Sequence, residues 1–570
     1  MEKRLRLIGV SVMTVVLLTV LSLSLSCAST EPTATPIPPA QPAAPLAPTA
    51  APAPTIAAAP AAPTAVQVQP TATKVIPTST AVVTGSPQSG GILRHAATLK
   101  FDTLDGHLNT FFEMQVVLFI IYDNIVELGP SGEILPGLAE SWGFSPDGKS
   151  VSFNLRKGVK FHDGTDFNAE AAKWNIDRIL DSQTGSAQRA VIGPSIDKVD
   201  VIDAYTLSVL LKKPSRPFLS LLADRAGYVL SPTAVGKLGA DFGARPVGTG
   251  LFKVSKWLLG ESNTLEKNAN YWEKGKPFLD RVLIQDVPDI NVQIAMVRTG
   301  ETDVVTYITP LVVRLTEGNP NLKVQQLYGQ VHGFAMNVST PPYSSKALRQ
   351  AIAYSFDAKE ILSTYYEGRG QAAYSIIAPG SWAYNPDIVV YKYDLQKAKE
   401  KLAEAGLTSS ATVPVWCGSA ASDVLRCEVF QAQLKKAGIN VELKVVPQAD
   451  YFASFRRDWR GERTLAGYSF WSPRGDPSQG IQNIFQSKGA SNSRDYNNPE
   501  VDRLMDQAET VYDTAKAKVL YDQIQRLILE DVPFVPHTFP ASYTVMTSKV
   551  QGFAQPPDLR LRMRNLWLTK

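Results

Sequence analysis

The chain has 570 residues, beyond the roughly 250–300 at which a single hydrophobic core stops growing, so two or more domains are expected. With 44% hydrophobic and 19% charged residues it has the balance of a soluble globular protein, which excludes a polytopic membrane protein and a wholly disordered chain. The net charge is only +4, and half of it comes from Glu2, Lys3, Arg4 and Arg6 at the extreme N-terminus, so a nucleic-acid footprint is excluded too.

Residues 1–26 read as a signal peptide: a basic start, then an uncharged run of apolar and small residues from Leu7 to Ser26. A run of this length could also span a bilayer as an uncleaved helix. Leu23-Ser24-Leu25-Ser26-Cys27 resembles the lipobox of bacterial lipoproteins, with Ser24 where a leucine is usual. The expectation is therefore lipidation at Cys27 and a stable anchor in the bilayer, since two or three acyl chains hold where one does not. An uncleaved anchor or a plain signal are the alternatives. Residues 27–90 then form a disordered linker. From Ala28 to Gly90 there are fourteen of the forty prolines, with mostly alanine and threonine between them and only Glu31 and Lys74 charged. Proline at that density blocks helix and sheet, and nothing large and apolar offsets the entropy of ordering. About sixty residues reach ~190 Å as polyproline II or ~45 Å as a flexible coil, enough in either case to lift a domain clear of a membrane.

From Gly91 onward the pattern is mixed α and β. Ser145-Pro146-Asp147-Gly148 predicts a hairpin turn feeding a strand over 150–159, with Val151, Phe153 and Leu155 on one face. Helical periodicity runs over 169–180, 346–366, 394–405, 424–437 and 499–529, and short strands such as 413–416 and 441–446 lie between. No repeat of 20–50 residues is visible, which disfavours a solenoid or propeller. Cys417 and Cys427 sit ten positions apart across a strand-to-helix loop. In an oxidising compartment a disulfide is expected; two buried free thiols are the alternative, and no histidine lies near enough to suggest a metal.

Gly143-Phe144-Ser145-Pro146-Asp147-Gly148-Lys149-Ser150 fits the phosphate-loop expression G-x-x-x-x-G-K-[ST] letter for letter. A phosphate loop needs a helix starting at its lysine, whereas these residues predict a turn followed by a strand, so nucleotide binding is rejected. No H-E-x-x-H, G-x-S-x-G or metal-spaced cysteine pair is present, and no catalytic residue, metal or cofactor is assigned. The histidines at 95, 107, 162, 332 and 537 are scattered and read as structural hydrogen-bonders. His332 is the first to test, because Tyr328-Gly329-Gln330-Val331-His332 is expected to cross between domains.

Leu135-Pro136-Gly137-Leu138-Ala139-Glu140-Ser141-Trp142, the turn 145–149, and Phe153-Asn154-Leu155-Arg156-Lys157-Gly158-Val159-Lys160-Phe161-His162-Asp163-Gly164 resemble the signature of family 5 extracellular solute-binding proteins, the peptide, dipeptide and nickel receptors of ABC importers. Co-linear matches include Pro246-Val247-Gly248-Thr249-Gly250, Asn268-Ala269-Asn270-Tyr271-Trp272, Leu348-Arg349-Gln350-Ala351-Ile352-Ala353 and Gly475-Asp476-Pro477, so the resemblance covers Gly91 to Lys570. It implies a periplasmic-binding-protein-like α/β fold of type II in the large three-domain form: two mixed-sheet lobes joined by two crossover strands, plus an inserted domain. Domain I would comprise 91–124, 246–330 and 537–570, domain II 125–245 and domain III 331–536. It further implies a monomer outside the cytoplasmic membrane or in the periplasm. That monomer closes on a peptide or other small solute between domains I and III and delivers it to a membrane permease and ATPase complex. A sensor for a membrane receptor and an exported hydrolase are the other classes kept in view.

The ligand question turns on Phe470-Trp471-Ser472-Pro473-Arg474-Gly475-Asp476-Pro477. Peptide-binding members show a Trp and, three positions on, an Asp that pairs with the peptide ammonium. Here Phe470 and Pro473 stand at those positions, and Arg474 brings the opposite charge. Leaving a buried ammonium unpaired costs several kcal/mol, so the expected ligand lacks a free α-amino terminus and is neutral or carboxylate-bearing. The candidate contacts are Phe470, Trp471 and Arg474, with Asn109, Thr110 and Phe111 on the domain I rim and Tyr374, Trp382 and Trp416 in domain III.

Overall fold

The computed structural model describes residues 86–99, 103–258, 261–407, 412–454, 466–471, 475–554, 556 and 558–570, the strand 466–471 by its backbone alone. The expectations for the signal, Cys27, most of the linker, Pro473 and Arg474 lie outside the described residues.

Two mixed sheets organise the chain. The first has seven strands in the spatial order Leu322–Leu327, Ser542–Thr547, Val304–Ile308, Ile92–Ala97, Arg281–Asp286, Ser262–Lys267 and Phe252–Lys256, with Ile92–Ala97 parallel to both its neighbours. The second has six, in the order Gly370–Ala372, Phe534–Pro540, Val331–Met336, Ala466–Trp471, Thr412–Gly418 and Asn440–Val446. The chain passes between them twice, at residues 328–330 and at Ala541. This is the type II binding-protein architecture, with a four-stranded antiparallel sheet (Ala139–Phe144, Ser150–Leu155, Thr206–Leu211, Ile196–Asp203) inserted after the first lobe begins.

The second crossover corrects the expected boundary at 537. Residues 537–540 stay in the second sheet because Phe534–Pro540 is paired on both sides. Thr538 lies opposite both His332 and Ala372, and Pro540 opposite Gly370. Only when Phe534–Pro540 ends can Ser542 turn to pair with Leu327 in the first sheet.

The predicted hairpin forms with its strand at Ser150–Leu155, shorter than expected. Val151 and Phe153 are fully buried and Leu155 nearly so, on a core shared with the helix Ala169–Leu180. Each such side chain contributes about 1.5–3 kcal/mol. The phosphate-loop match is thus a turn: Gly148 has φ +67, its N–H donates to the Ser145 carbonyl at 2.8 Å, and a strand follows. Two long helices expected from periodicity are each broken. Asp357 caps Ala358–Tyr365 through the N–H groups of Lys359 and Glu360, separating it from Lys346–Ser355. Asp513 does the same through Lys516, separating Thr514–Asp531 from Pro499–Thr510. Apolar spacing runs straight across both breaks, and an aspartate that satisfies orphan N–H groups decides where a new helix starts. Among the described residues no helix is long and apolar enough to cross a membrane.

Cys417, near the end of Thr412–Gly418, and Cys427, in the helix Ala421–Lys436, are joined by a disulfide in the second-lobe core, with Cα atoms 6.4 Å apart. Closing this ten-residue separation stabilises by about 3 kcal/mol on the chain-entropy account. Reduction should therefore lower the denaturation midpoint while leaving the far-ultraviolet spectrum unchanged. An unchanged midpoint in dithiothreitol would contradict this.

Candidate functional site

The two crossovers define one end of each sheet, the end at which Leu327 and Val331 meet and Pro540 and Ser542 meet. On the first lobe, the strand Val304–Ile308 ends beside the second crossover, with Ile308 opposite Tyr543. A bulge before Ile308 puts Tyr307 at φ +60, a conformation disfavoured for a residue with a Cβ. Its ring meets Phe112 at 5.2 Å between centroids. Arg560 lies over the same Phe112 at 5.3 Å. The Tyr307 hydroxyl and the Nε and Nη2 of Arg560 are buried with no hydrogen-bond partner.

Asn109 is turned inward and braces its own loop, donating from Nδ2 to the Thr103 carbonyl at 2.9 Å. Thr110 beside it is exposed, and its carbonyl accepts from Arg225 Nη1 at 3.0 Å. On the second lobe, the strand carrying Phe470 and Trp471 pairs Trp471 with Val331 and Phe470 with His332, which puts both backbones at the crossover end. Trp416, buried on the parallel strand Thr412–Gly418, leaves its indole Nε1 without a hydrogen-bond partner.

Tyr374 lies farther from the crossover. It follows Gly370–Ala372, whose Gly370 end is the one near the crossover, and it lines a small cavity with Ala353, Phe356, Tyr391 and Pro536. The chain direction of that edge strand carries Tyr374 away from the other candidates.

His332 Nδ1 is 2.6 Å from the Tyr366 hydroxyl and Nε2 is 3.1 Å from Gln330 Oε1. Burial drives its pKa well below the ordinary imidazole value, with Arg426 and His537 adding to the shift, so the ring is neutral. Among the described residues no group of three His, Cys, Asp or Glu side chains could hold a metal ion.

Sequence reasoning missed three residues here. The strained backbone of Tyr307 leaves no sequence signal. Arg560 had one: Leu559-Arg560-Leu561-Arg562-Met563-Arg564 alternates basic and apolar residues, and Leu559, Leu561 and Met563 are buried. Each arginine then finds carboxylates, Arg560 with Asp224 and Asp558, Arg562 with Asp558, and Arg564 with Glu127, Asp123 and Glu273. Asp224 and Glu127 belong to the inserted segment, so this run stitches the insertion to the first lobe. The seam encloses a cavity of about 150 Å³ whose lining includes Phe119, Glu127, Leu128 and Arg562; burial there raises the Glu127 carboxyl pKa.

The third missed residue is Arg216, also from the insertion. It hydrogen-bonds the buried carboxylate of Asp476 and lies 3.8 Å over the Trp382 ring. Asp476 also accepts from the Ser478 N–H and hydroxyl and from Tyr521 at 3.1 Å. The Asp476 of the matched motif is therefore already neutralised by protein.

Residues 133–493 match the family described as bacterial extracellular solute-binding proteins, family 5. The chain is 30% identical over 468 residues to a protein of Shigella flexneri named glutathione-binding protein GsiB, covering 80% of this chain and 91% of that one. Its fold is similar to the periplasmic binding protein DppA of Helicobacter pylori, solved with the peptide STSA (TM-score 0.72, 27% identity, 85% and 99% covered). It is also similar to the binding protein AgaA of A. tumefaciens R10, solved with agropinic acid (TM-score 0.70, 27% identity, 84% and 99% covered). With the two crossovers and the inserted sheet, these likenesses establish that the chain belongs to the family 5 extracellular solute-binding proteins.

Proposed function

We propose that this protein is the extracytoplasmic receptor of an ABC importer. It would be anchored by a lipidated Cys27 and lifted by its proline-rich linker, and would enclose a peptide-sized solute between its two lobes for delivery to a membrane permease. The observation that carries the reading is the pair of crossovers at 328–330 and 541, which leaves two lobes free to hinge about a shared cleft. A solute that touches both lobes stabilises the closed state differentially, and closure is what a permease can read. In this reading domain I comprises 91–124, 246–330 and the chain after 541, domain II 125–245 and domain III 331–540.

The ligand we infer has no free α-amino terminus and carries a neutral polar or carboxylate group. Pro473 supplies no charge, and Asp476 is occupied by Arg216. The buried polar atoms without protein partners near the crossover end include the Nε and Nη2 of Arg560, donors suited to an acceptor-rich solute. The relatives named for glutathione, a bound peptide and agropinic acid keep the size class small.

Mass spectrometry of solute released from the denatured protein, followed by calorimetry with that compound, tests the assignment. Phe470→Ala should weaken binding about tenfold, the worth of one aromatic face. Micromolar binding of ordinary dipeptides that depends on their ammonium group would overturn the ligand class.

A further inference from the structure

We propose that the inserted domain uses Arg216 to latch the second lobe in its closed position through Asp476 and Trp382. The inference rests on the receptor reading and deepens it: domain II takes part in lobe closure instead of being a passive appendage.

Four observations converge. Arg216 and Asp476 form a buried ion pair, with side chains 12% and 6% exposed, between the insertion and the stretch that follows Phe470. The guanidinium also stacks on Trp382 at 3.8 Å, a second element of the same lobe. Around the pair, the Arg216 N–H donates to the Glu509 carbonyl at 2.6 Å and the Ser215 N–H to the Tyr512 hydroxyl at 3.1 Å, while that hydroxyl donates to the Gly148 carbonyl at 3.0 Å. Phe144 packs on the Tyr512 ring at 4.3 Å. Finally, Gly475 sits at φ +48 with its Cα against the insertion, where a Cβ would lie 2.9 Å from Ser220 Cβ and 3.3 Å from Leu128 Cδ1.

These contacts are all made by a domain that the 560–564 arginines tie to the first lobe. When the second lobe swings away, Asp476 must leave Arg216, and both charges must be resolvated or find other partners. The pair therefore adds stability to one position of the hinge only, which is what a latch requires. The cavity between Gly132, Tyr328, Trp382 and Gly475 is about 10 Å³, at the lower limit for one water, so there is little room for solvent beside the latch.

The test reads lobe position without any ligand. Spin labels are introduced at Lys198 in domain II and Glu404 in domain III by bioorthogonal amino acids, leaving the native cysteines untouched, and pulsed electron resonance gives the distance distribution of the full chain. Arg216→Gln should raise the fraction at long distance on the order of tenfold. Arg216→Lys, which keeps the charge and loses the planar stack, should fall between. Adding Asp476→Asn to Arg216→Gln should change the distribution no further. Trp382→Leu, which leaves the ion pair intact, gives a smaller shift in the same direction and serves if the arginine variants fold poorly. Distributions identical to the parent in both Arg216→Gln and Trp382→Leu would overturn the proposal. Because no solute is present, that outcome is distinct from failure of the receptor reading, which would show as no solute released from the denatured protein.

Discussion

Unfolding by guanidinium at a series of pH values should show stability that is flat above about pH 7 and collapses between pH 6 and 4. His95, His107 and His537 are fully buried, and burial lowers their pKa values to about 4, about 4 and about 3. At His107 the bonding leaves no room for a second proton. His107 Nε2 donates to the Tyr228 carbonyl at 3.0 Å while Nδ1 accepts from Arg178 at 2.9 Å, so protonation would set two cationic donors against each other. In the unfolded chain the same rings titrate near 6.5. Between that value and the folded pKa the unfolded state binds more protons, so stability is complete above the unfolded pKa and is lost as pH falls. His162, lowered to about 4, and His332, lowered well below the ordinary value, act in the same direction, so the five histidines together give a slope of several kcal/mol per pH unit, a large fraction of the stability of a typical domain. His537→Gln should remove about a fifth of the slope. Midpoints that stay level down to pH 4.5 would refute the argument.

The second large effect is expected at Arg560. It is 1% exposed, bonded to Asp224 and 3.6 Å from Asp558, and it lies over Phe112 and Phe119. Arg560→Met keeps much of the stem's packing but strips the cation from two buried carboxylates, which costs about 3–5 kcal/mol. Urea denaturation at pH 7.5 measures it. Adding Asp224→Asn should recover part of the loss, because the amide needs no counter-charge. A loss below about 1 kcal/mol would mean that Arg562, 2.8 Å from Asp558, carries the compensation alone.

Much of the fold was legible because it follows local rules. The 150–155 strand declared itself by alternation, and 169–180 by helical spacing with Asn168 as its cap, accepting from the Ala171 N–H. The phosphate-loop match could be rejected from sequence because the residues after Gly148 alternate, and a strand leaves no helix N-terminus for a phosphate. The candidate site was legible only in part. Strand order carries the backbones of Phe470 and Trp471 to the crossover end, whereas the three-residue edge strand Gly370–Ala372 runs away from it toward Tyr374.

By itself, then, the sequence determined the family, several of its strands and helices, and the substitution of Pro473 for a charged residue. Each of these is written in neighbouring residues or in motifs that survive in linear order. Only the tertiary structure decided which carboxylates meet which arginines. Arg216 and Asp476 are 260 positions apart and Arg560 and Asp224 are 336 apart, and no local propensity encodes such a pairing. It arises because two chain crossovers and one insertion fold distant segments onto the same seam, where a buried charge is stable only when an opposite one arrives with it.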